Sequence, residues 1–194
     1  MRMRISLILL LGLVSLPISP AGAVEPAPTT YVTDRAGVID PQTAQMLTAL
    51  LQELEQKTGA RIIVLTVDTT DGQDIHDYAF QRADAWKMGP NNASASVLVV
   101  AAIKDRNYRF EVGYDWEPVL TDGFVGQVGR TYLVPQFKAG NYSQGIYEAT
   151  AALAGRAAAE KGVILTGMPT LRPMTRTPSL GRMLVGFIPI LFIM

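Results

Sequence analysis

The sequence predicts an α/β fold, a three-layer α/β/α sandwich with a small mixed β-sheet flanked by helices, and three observations carry that prediction. Two continuous β-rich runs, Ile62-Ile-Val-Leu-Thr-Val67 and Ser96-Val-Leu-Val-Val-Ala-Ala-Ile103, have the unbroken apolar character of strands covered on both faces. An amphipathic stretch of helical length separates them, so the three form a strand-helix-strand unit whose right-handed crossover leaves the two strands parallel. A third run, Tyr108-Arg-Phe-Glu-Val112, alternates apolar and charged residues after the short polar connection Lys104-Asp-Arg-Asn107, which predicts an antiparallel hairpin partner.

Taken in order, the elements have local causes. Asp40 offers a capping carboxylate ahead of Pro41, whose missing N–H costs nothing at a first helical position, so a helix is expected from 41 to about 57. Leu47, Leu50, Leu51 and Leu54 line one face of it, and Thr58-Gly59 supplies the stop. The loop Thr69-Thr-Asp-Gly-Gln-Asp74 is rich in capping residues and leads into a second helix ending near 87, with Ile75, Ala79, Ala83 and Trp86 as its apolar stripe. After the alternating strand, which Gly113 ends, two further helices are expected at about 121–137 and 143–161, with Pro135 ending or kinking the first. No internal repeat or low-complexity tract is found within the domain.

The ends of the chain point outside the cytoplasm. Arg2 and Arg4, the apolar run 5–16 and the small residues Ala21-Gly-Ala23 have the order of a secretory signal peptide spanning 1–23, followed by a short linker at 24–30. About 140 residues then remain for one globular domain, expected at 31–162. From 163 to 181 the chain is rich in Pro, Thr and Arg without apolar periodicity and is expected to be a linker. Residues 182–194 are nearly all apolar, but shorter than the roughly 20 residues of a spanning helix. Three readings stay open for them: an interfacial anchor, a spanning helix cut off where this sequence stops, or an apolar tail packed on the domain. Arg172, Arg176 and Arg182 would flank a spanning helix on its outer side, against the usual bias of basic residues toward the cytoplasm.

Charge and composition exclude several classes. All 17 acidic residues lie between 24 and 162, against 12 of the 17 basic ones, so the domain is net negative and lacks the basic stripe of a nucleic-acid binder. The absence of cysteine removes disulfides, thiolate metal sites, Fe–S clusters and a Cys nucleophile. Neither a Walker pattern nor a dinucleotide fingerprint is present, so no nucleotide cofactor is expected, nor haem. His76 is the single histidine, on a helix beside Asp74 and Asp77, and no Gly-x-Ser-x-Gly elbow accompanies it.

The most informative stretch is Gly113-Tyr-Asp-Trp-Glu-Pro-Val-Leu-Thr-Asp122, which sets Asp115, Glu117 and Asp122 in a turn-rich loop directly after a strand. Ligands in open α/β sheets sit where such loops converge beyond strand ends. A hard cation, Ca²⁺ or Mg²⁺, needs several oxygen ligands, and Asp34, Glu117 and Asp122 are the metal-ligand candidates, with Asp71 or Asp74 nearby. Each has a plainer role open to it: Asp34 fixing a turn, Asp122 capping the helix from Gly123, Glu117 pairing with Arg35 or Arg106. Arg35, Arg106 and Arg109 are candidates for holding an anionic group beside a cation. Trp86 is expected in the core, and Trp116 either as a partner surface or as a cover over the acidic loop.

This acidic block, together with Tyr31-Val-Thr-Asp-Arg-Ala-Gly-Val-Ile-Asp-Pro41, Thr58-Gly-Ala-Arg-Ile-Ile-Val-Leu-Thr-Val67, Asp105-Arg106 and Pro135-Gln-Phe-Lys-Ala-Gly-Asn-Tyr142, resembles the TPM domain family over residues 31–161. That family includes the thylakoid-lumen acid phosphatase and many bacterial secreted or membrane-tethered proteins, so the resemblance implies either a metal-dependent phosphatase or a membrane-associated module. The sequence departs from the family at two points. An Asp-Asn-Gly triplet commonly leads into the second parallel strand, and here those positions read Ser94, Ala95 and Ser96, with Asn91 or Asn92 as neutral substitutes and Asp115 replacing a glycine after Gly-Tyr. The favoured expectation is an exported, membrane-tethered binding or assembly module on the periplasmic or cell-surface side, with a divalent cation ordering its loop and a membrane-associated protein complex as partner. The alternative is a weak metal-dependent acid phosphatase.

Overall fold

The computed structural model describes residues 26–86 and 97–174. The segment expected as a signal peptide, the apolar stretch 182–194, and the Ser94-Ala95-Ser96 departure with Asn91 and Asn92 lie outside the described residues. A four-stranded sheet of order β1-β2-β3-β4 is formed by β1 (Val32–Asp34), β2 (Ile62–Val67), β3 (Val97–Ala102) and β4 (Asn107–Val112). The expected topology is observed: β2 and β3 run parallel, and β3 pairs antiparallel with β4. The first strand was not legible as one, because three residues carry no period. It is defined by its pairing with β2, parallel and in register from Val32 opposite Val64 to Asp34 opposite Thr66.

Both central strands are buried along their whole length, which explains their unbroken apolar sequence. On one face, Ile63, Leu65, Leu98 and Val100 pack under helix α2 (Ile75–Ala85) with Tyr78, Ala79 and Trp86. On the other, Ile62, Val64, Val97, Val99 and Phe110 meet α1 (Pro41–Thr58) and α5 (Tyr142–Glu160). The result is the expected three-layer sandwich, with Trp86 in the core at 7% exposure.

Capping follows the sequence closely. Asp40 accepts from the Thr43 amide and hydroxyl, both at 2.8 Å, and Gly59 closes α1 at φ 75° with its amide on the Glu55 carbonyl at 2.8 Å. Asp40 also ties α1 to α5, since the Ser143 hydroxyl donates to its carboxylate and accepts from its amide at 3.2 Å. These bonds, the Ser143 one foremost, draw the Asp40 carboxyl down to about 2.

The helix expected at about 121–137 is interrupted. It is built as α3 (Asp122–Val128), a π-helical turn at Gly129–Leu133 and α4 (Val134–Lys138). Two local demands explain the wide turn. Pro135 has no amide to offer the Thr131 carbonyl, and that carbonyl is instead taken by Arg172 Nη2 at 2.9 Å. The Tyr108 ring of β4 also presses on Gly129 so closely that a Cβ there would lie 2.3 Å from its hydroxyl.

Residues 163–174 contain no helix or strand, in keeping with their aperiodic sequence, yet they lie along the helical layer. Leu165 is buried, Glu53 accepts from the Thr166 amide and hydroxyl, and Tyr147 and Tyr132 donate to the carbonyls of Gly167 and Arg172. The tyrosines and Glu53 that hold this strap sit on helices far away in sequence, which is why composition alone reads it as a linker.

Replacing Gly129 with Ala should destabilise the fold by about 1–3 kcal/mol through overpacking against Tyr108. Chemical denaturation of Gly129→Ala, Tyr108→Leu and the double variant should show the second change relieving much of the first. A second expectation concerns acid. A carboxyl whose folded pKa is depressed contributes stability above its unfolded pKa, lost as pH falls through the folded one, so the Asp40 contribution should disappear between about pH 4 and 2. Asp40→Ala should lower the Tm at neutral pH and flatten its fall across that window, as followed by circular dichroism.

Candidate functional site

The antiparallel return of β4 divides the acidic candidates between two edges of the sheet. Asp34 closes β1 opposite Thr66, which is opposite Ala101, itself opposite Tyr108 at the start of β4. The loop carrying Glu117 and Asp122 leaves from Val112, at the other end of β4, where Val112 faces the first residue of β3, Val97. Three strand spacings and four residues of strand length separate Asp34 from that end by roughly 20 Å. The structure therefore brings Glu117 and Asp122 together and leaves Asp34 elsewhere.

At the Asp34 edge the carboxylates are engaged in holding turns. Asp34 accepts from the amides of Val38 at 3.2 Å and Ile39 at 2.8 Å and from the Thr66 hydroxyl. Thr66 is fully buried, and the same hydroxyl also accepts from the Ala36 amide at 3.3 Å. Asp105 accepts from the Thr69 hydroxyl at 2.8 Å and the Thr70 amide at 2.7 Å, bonds that hold its carboxyl below the usual carboxylate range. Asp74 caps α2 through the amides of His76 and Asp77, and Asp68 pairs with Lys104 at 2.9 Å. Asp71 is exposed in a turn at φ 55°.

The opposite edge is built differently. Gly113 leads into a 3₁₀ turn at Tyr114–Trp116, and the loop is pinned by buried Val119 and Leu120, by Trp116 half-buried against the core, and by Arg156 Nε donating to the Val119 carbonyl at 3.2 Å. Lys161 lies over the Trp116 ring, 5.7 Å from its centroid, so this tryptophan covers the underside of the loop. Thr121, not Asp122, is the helix cap, accepting from the Phe124 amide at 3.4 Å, while Asp122 occupies the first turn of α3, where the dipole favours an acid. With the apolar side chains drawn inward, Asp115, Glu117 and Asp122 are exposed and make no side-chain hydrogen bond or ion pair among the described residues.

Glu117 and Asp122 line a groove of about 330 Å³ together with Arg109, Phe110, Glu111, Val112, Leu120 and Thr121. Arg109 Nε and Glu111 pair along β4 at 3.1 Å, and His76 Nδ1 of α2 lies 3.9 Å from the same Glu111 oxygen. The groove thus runs beside the free edge of β4, with acids at its loop end and one guanidinium held by a neighbouring carboxylate. The three candidate arginines do not meet. Arg106 stands in the β3–β4 turn at the far edge, and Arg35 follows β1, its charge felt by Arg82 of α2, whose pKa is lowered mainly by burial. Among the described residues no group of three or more His, Asp or Glu side chains is gathered tightly enough for a metal centre. No described helix is long and apolar enough to cross a membrane.

Glu111 is the groove residue that sequence reading passed over. Its alternation within β4 was visible, but alternation marks only a half-exposed strand and not a groove. The signal that could have raised it was its spacing from Arg109 on one face of an edge strand.

Stability separates the two edges. Asp34→Ala should cost about 2–4 kcal/mol, since three donors lose a charged acceptor, whereas Glu117→Gln and Asp122→Asn should leave the urea midpoint essentially unchanged. An Asp34→Ala variant as stable as the parent would overturn the turn-fixing role.

Comparison with known proteins agrees with this architecture. The family model described as the TPM domain matches residues 32–156. The UPF0603 proteins MT2410 and Rv2345, from two Mycobacterium tuberculosis strains, are each 30% identical to this chain over 125 residues. That match covers 64% of this chain but 18% of each relative, so the chain spans a small part of their length. Among solved structures, the N-terminal domain of a protein from P. gingivalis superposes with a TM-score of 0.65 at 25% identity, covering 70% of this chain and 86% of that one. The N-terminal domain of cg2496 from Corynebacterium glutamicum gives 0.53 at 17% identity over 84% of this chain and 94% of its own. The BA42 protein of Bizionia argentinensis gives 0.52 at 19%, over 69% and 95%. At those identities the last two show the fold alone. With the family model covering most of the described domain and the sheet and helices in their places, this chain belongs to the TPM domain family.

Proposed function

We propose that this protein is a binding or assembly module that works outside the cytoplasm, is tethered near a membrane through its apolar C-terminal segment, and presents the groove beside β4 to a membrane-associated protein complex. One observation carries the reading. At the Asp34 edge, Asp34 and Asp105 are spent on turns, Asp74 on a helix cap and Asp68 on Lys104, leaving Asp71 and Asp77 exposed; Glu117 and Asp122 instead converge on one groove with no intramolecular partner among the described residues. Two free carboxylates lining one groove make it attractive to a cation or a basic partner. Location outside the cytoplasm is supported by the order of basic, apolar and small residues in 1–23, and tethering by the apolar run 182–194.

The groove suits a hard divalent cation, Ca²⁺ or Mg²⁺, bound weakly. Ca²⁺ takes about six to eight oxygens, and Mg²⁺ keeps several waters of its own. Glu117 and Asp122 bring at most two free carboxylates and Glu111 a third that Arg109 already engages, so such an ion would stay largely hydrated. The residues fit an ion that orders the loop, not an all-protein cage.

A second reading, a metal-dependent phosphate-ester hydrolase, draws on Arg109, whose guanidinium lies in the same groove and has the geometry to receive a phosphate. It ranks below the binding module. A metal-activated water would be the nucleophile there, but the groove offers at most two free carboxylates to hold the metal, and Arg109 is already engaged by Glu111.

Calorimetric titration of Ca²⁺ and Mg²⁺ into the full chain should give saturable binding with a Kd of about 0.1–1 mM, weakened at least several-fold by Glu117→Gln and by Asp122→Asn. Equal binding in both variants, or no heat up to several millimolar, would remove the cation from this groove. Hydrolysis of 4-nitrophenyl phosphate that is lost in Asp122→Asn would move the conclusion to the hydrolase.

A further inference from the structure

A larger cavity lies at the opposite edge of the sheet from the acidic groove, and its chemistry is the reverse. It measures about 580 Å³ and is bounded by the β3–β4 turn, by α4 and by the segment leading into α5. Tyr108, Phe137 and Tyr142 supply aromatic walls, and Arg106 and Lys138 stand at its rim. No acidic residue lines it.

The walls are held in place before any ligand arrives. Tyr108 is wedged against the Gly129 backbone, where even a methyl group would clash, and Phe137 and Tyr142 pack edge to face with centroids 5.1 Å apart at 70°. The charges, by contrast, are uncompensated. Neither Arg106 nor Lys138 joins an ion pair among the described residues. Asp105, next to Arg106 in the chain, forms no ion pair with it, its two oxygens accepting from Thr69 and Thr70.

Arg106 adds an independent observation. It holds φ 53°, a left-handed backbone that costs an ordinary side chain about 1 kcal/mol and that Gly or Asn would adopt more easily. A strained arginine whose guanidinium stands at a cavity mouth is a reason to look for function there. Lys138, in the last turn of α4, also complements the helix dipole, so Arg106 carries more of the argument.

We propose that this cavity is a second binding site, for a small organic anion built on a flat apolar ring, with the ring between the aromatic walls and the carboxylate or equivalent group at Arg106 and Lys138. Its volume falls within the range of small-molecule sites, about 300–1,000 Å³. An anion without a ring would meet only two exposed cations, which hold little in water. A neutral ring would leave those cations uncompensated. Both features together select the ligand class, and the site is independent of the acidic groove.

The test uses 2-naphthoate as probe, titrated into the full chain with binding followed by calorimetry and by amide chemical shifts. Shifts are expected at residues 103–108 and 137–142. The neutral analogue 2-naphthalenemethanol and the ringless anion acetate should each bind about tenfold more weakly or not measurably. An Arg106→Asn and Lys138→Gln double variant, in which Asn tolerates the left-handed backbone, should lose about tenfold for 2-naphthoate and keep its affinity for the alcohol. Glu117→Gln should change nothing here, which separates this site from the cation groove. Equal affinity for acid and alcohol, an unchanged double variant with native-like amide spectra, shifts confined to other residues, or no binding up to several millimolar would each overturn the proposal.

Discussion

Strand β3 carries the rest of the molecule. Its six residues are buried on both faces, it pairs parallel with β2 and antiparallel with β4, and each partner inherits a direction from it. A parallel neighbour requires a crossover, which α2 provides and which covers one face of the sheet. An antiparallel neighbour needs only a short turn, so β4 returns at once and delivers the acidic loop to the opposite edge. Where every loop lands, and hence which acids meet, depends on this one reversal.

The second layer is set by close approach. Tyr108 lies on Gly129 with no room for a side chain, Pro135 withholds an amide, and the intervening turn opens into a π-helix. The carbonyl left over is taken by Arg172, whose own carbonyl accepts from Tyr132. A strain in the helical layer is thus answered by a segment without regular structure. These hydrogen bonds, part-buried at Tyr132 and Tyr147 and exposed at Arg172 and Glu53, hold residues 163–174 to the domain together with burial of Leu165.

The two cavities divide chemistry as the sheet divides space. Beside the end of β4 lie Glu117 and Asp122, without a partner among the described residues and backed by Trp116 and by a buried Val119-Leu120 anchor. At the other edge lie aromatic rings and two cations that join no ion pair among the described residues, on a side where Asp34 and Asp105 are tied into turns. Although the domain is net negative, Arg106 and Lys138 form no ion pair among the described residues, and the neighbouring Asp105 carboxylate binds Thr69 and Thr70 instead. Charge at each mouth is decided less by composition than by which side chains the backbone has already engaged.

Sequence alone determined the elements whose causes are local. The cap Asp40, the stop at Gly59, the apolar stripe of α1 and the unbroken strands β2 and β3 are each readable within a few residues, and so are the sheet's mixed character and the layer order that a crossover and a hairpin impose. The acidic loop was legible too, since three acids in a turn-rich segment have no packing reason to be there. Tertiary structure decided what depends on partners distant in the chain. Three residues became β1 only by pairing with β2, Arg172 became structural only beside Thr131, and Asp34 was parted from Glu117 and Asp122 because strand direction, which single residues do not encode, places them at opposite edges. The same carboxylate chemistry reads as a ligand or as a turn clamp, and only the donors that fold around it, Thr66, Val38 and Ile39 for Asp34, settle which it is.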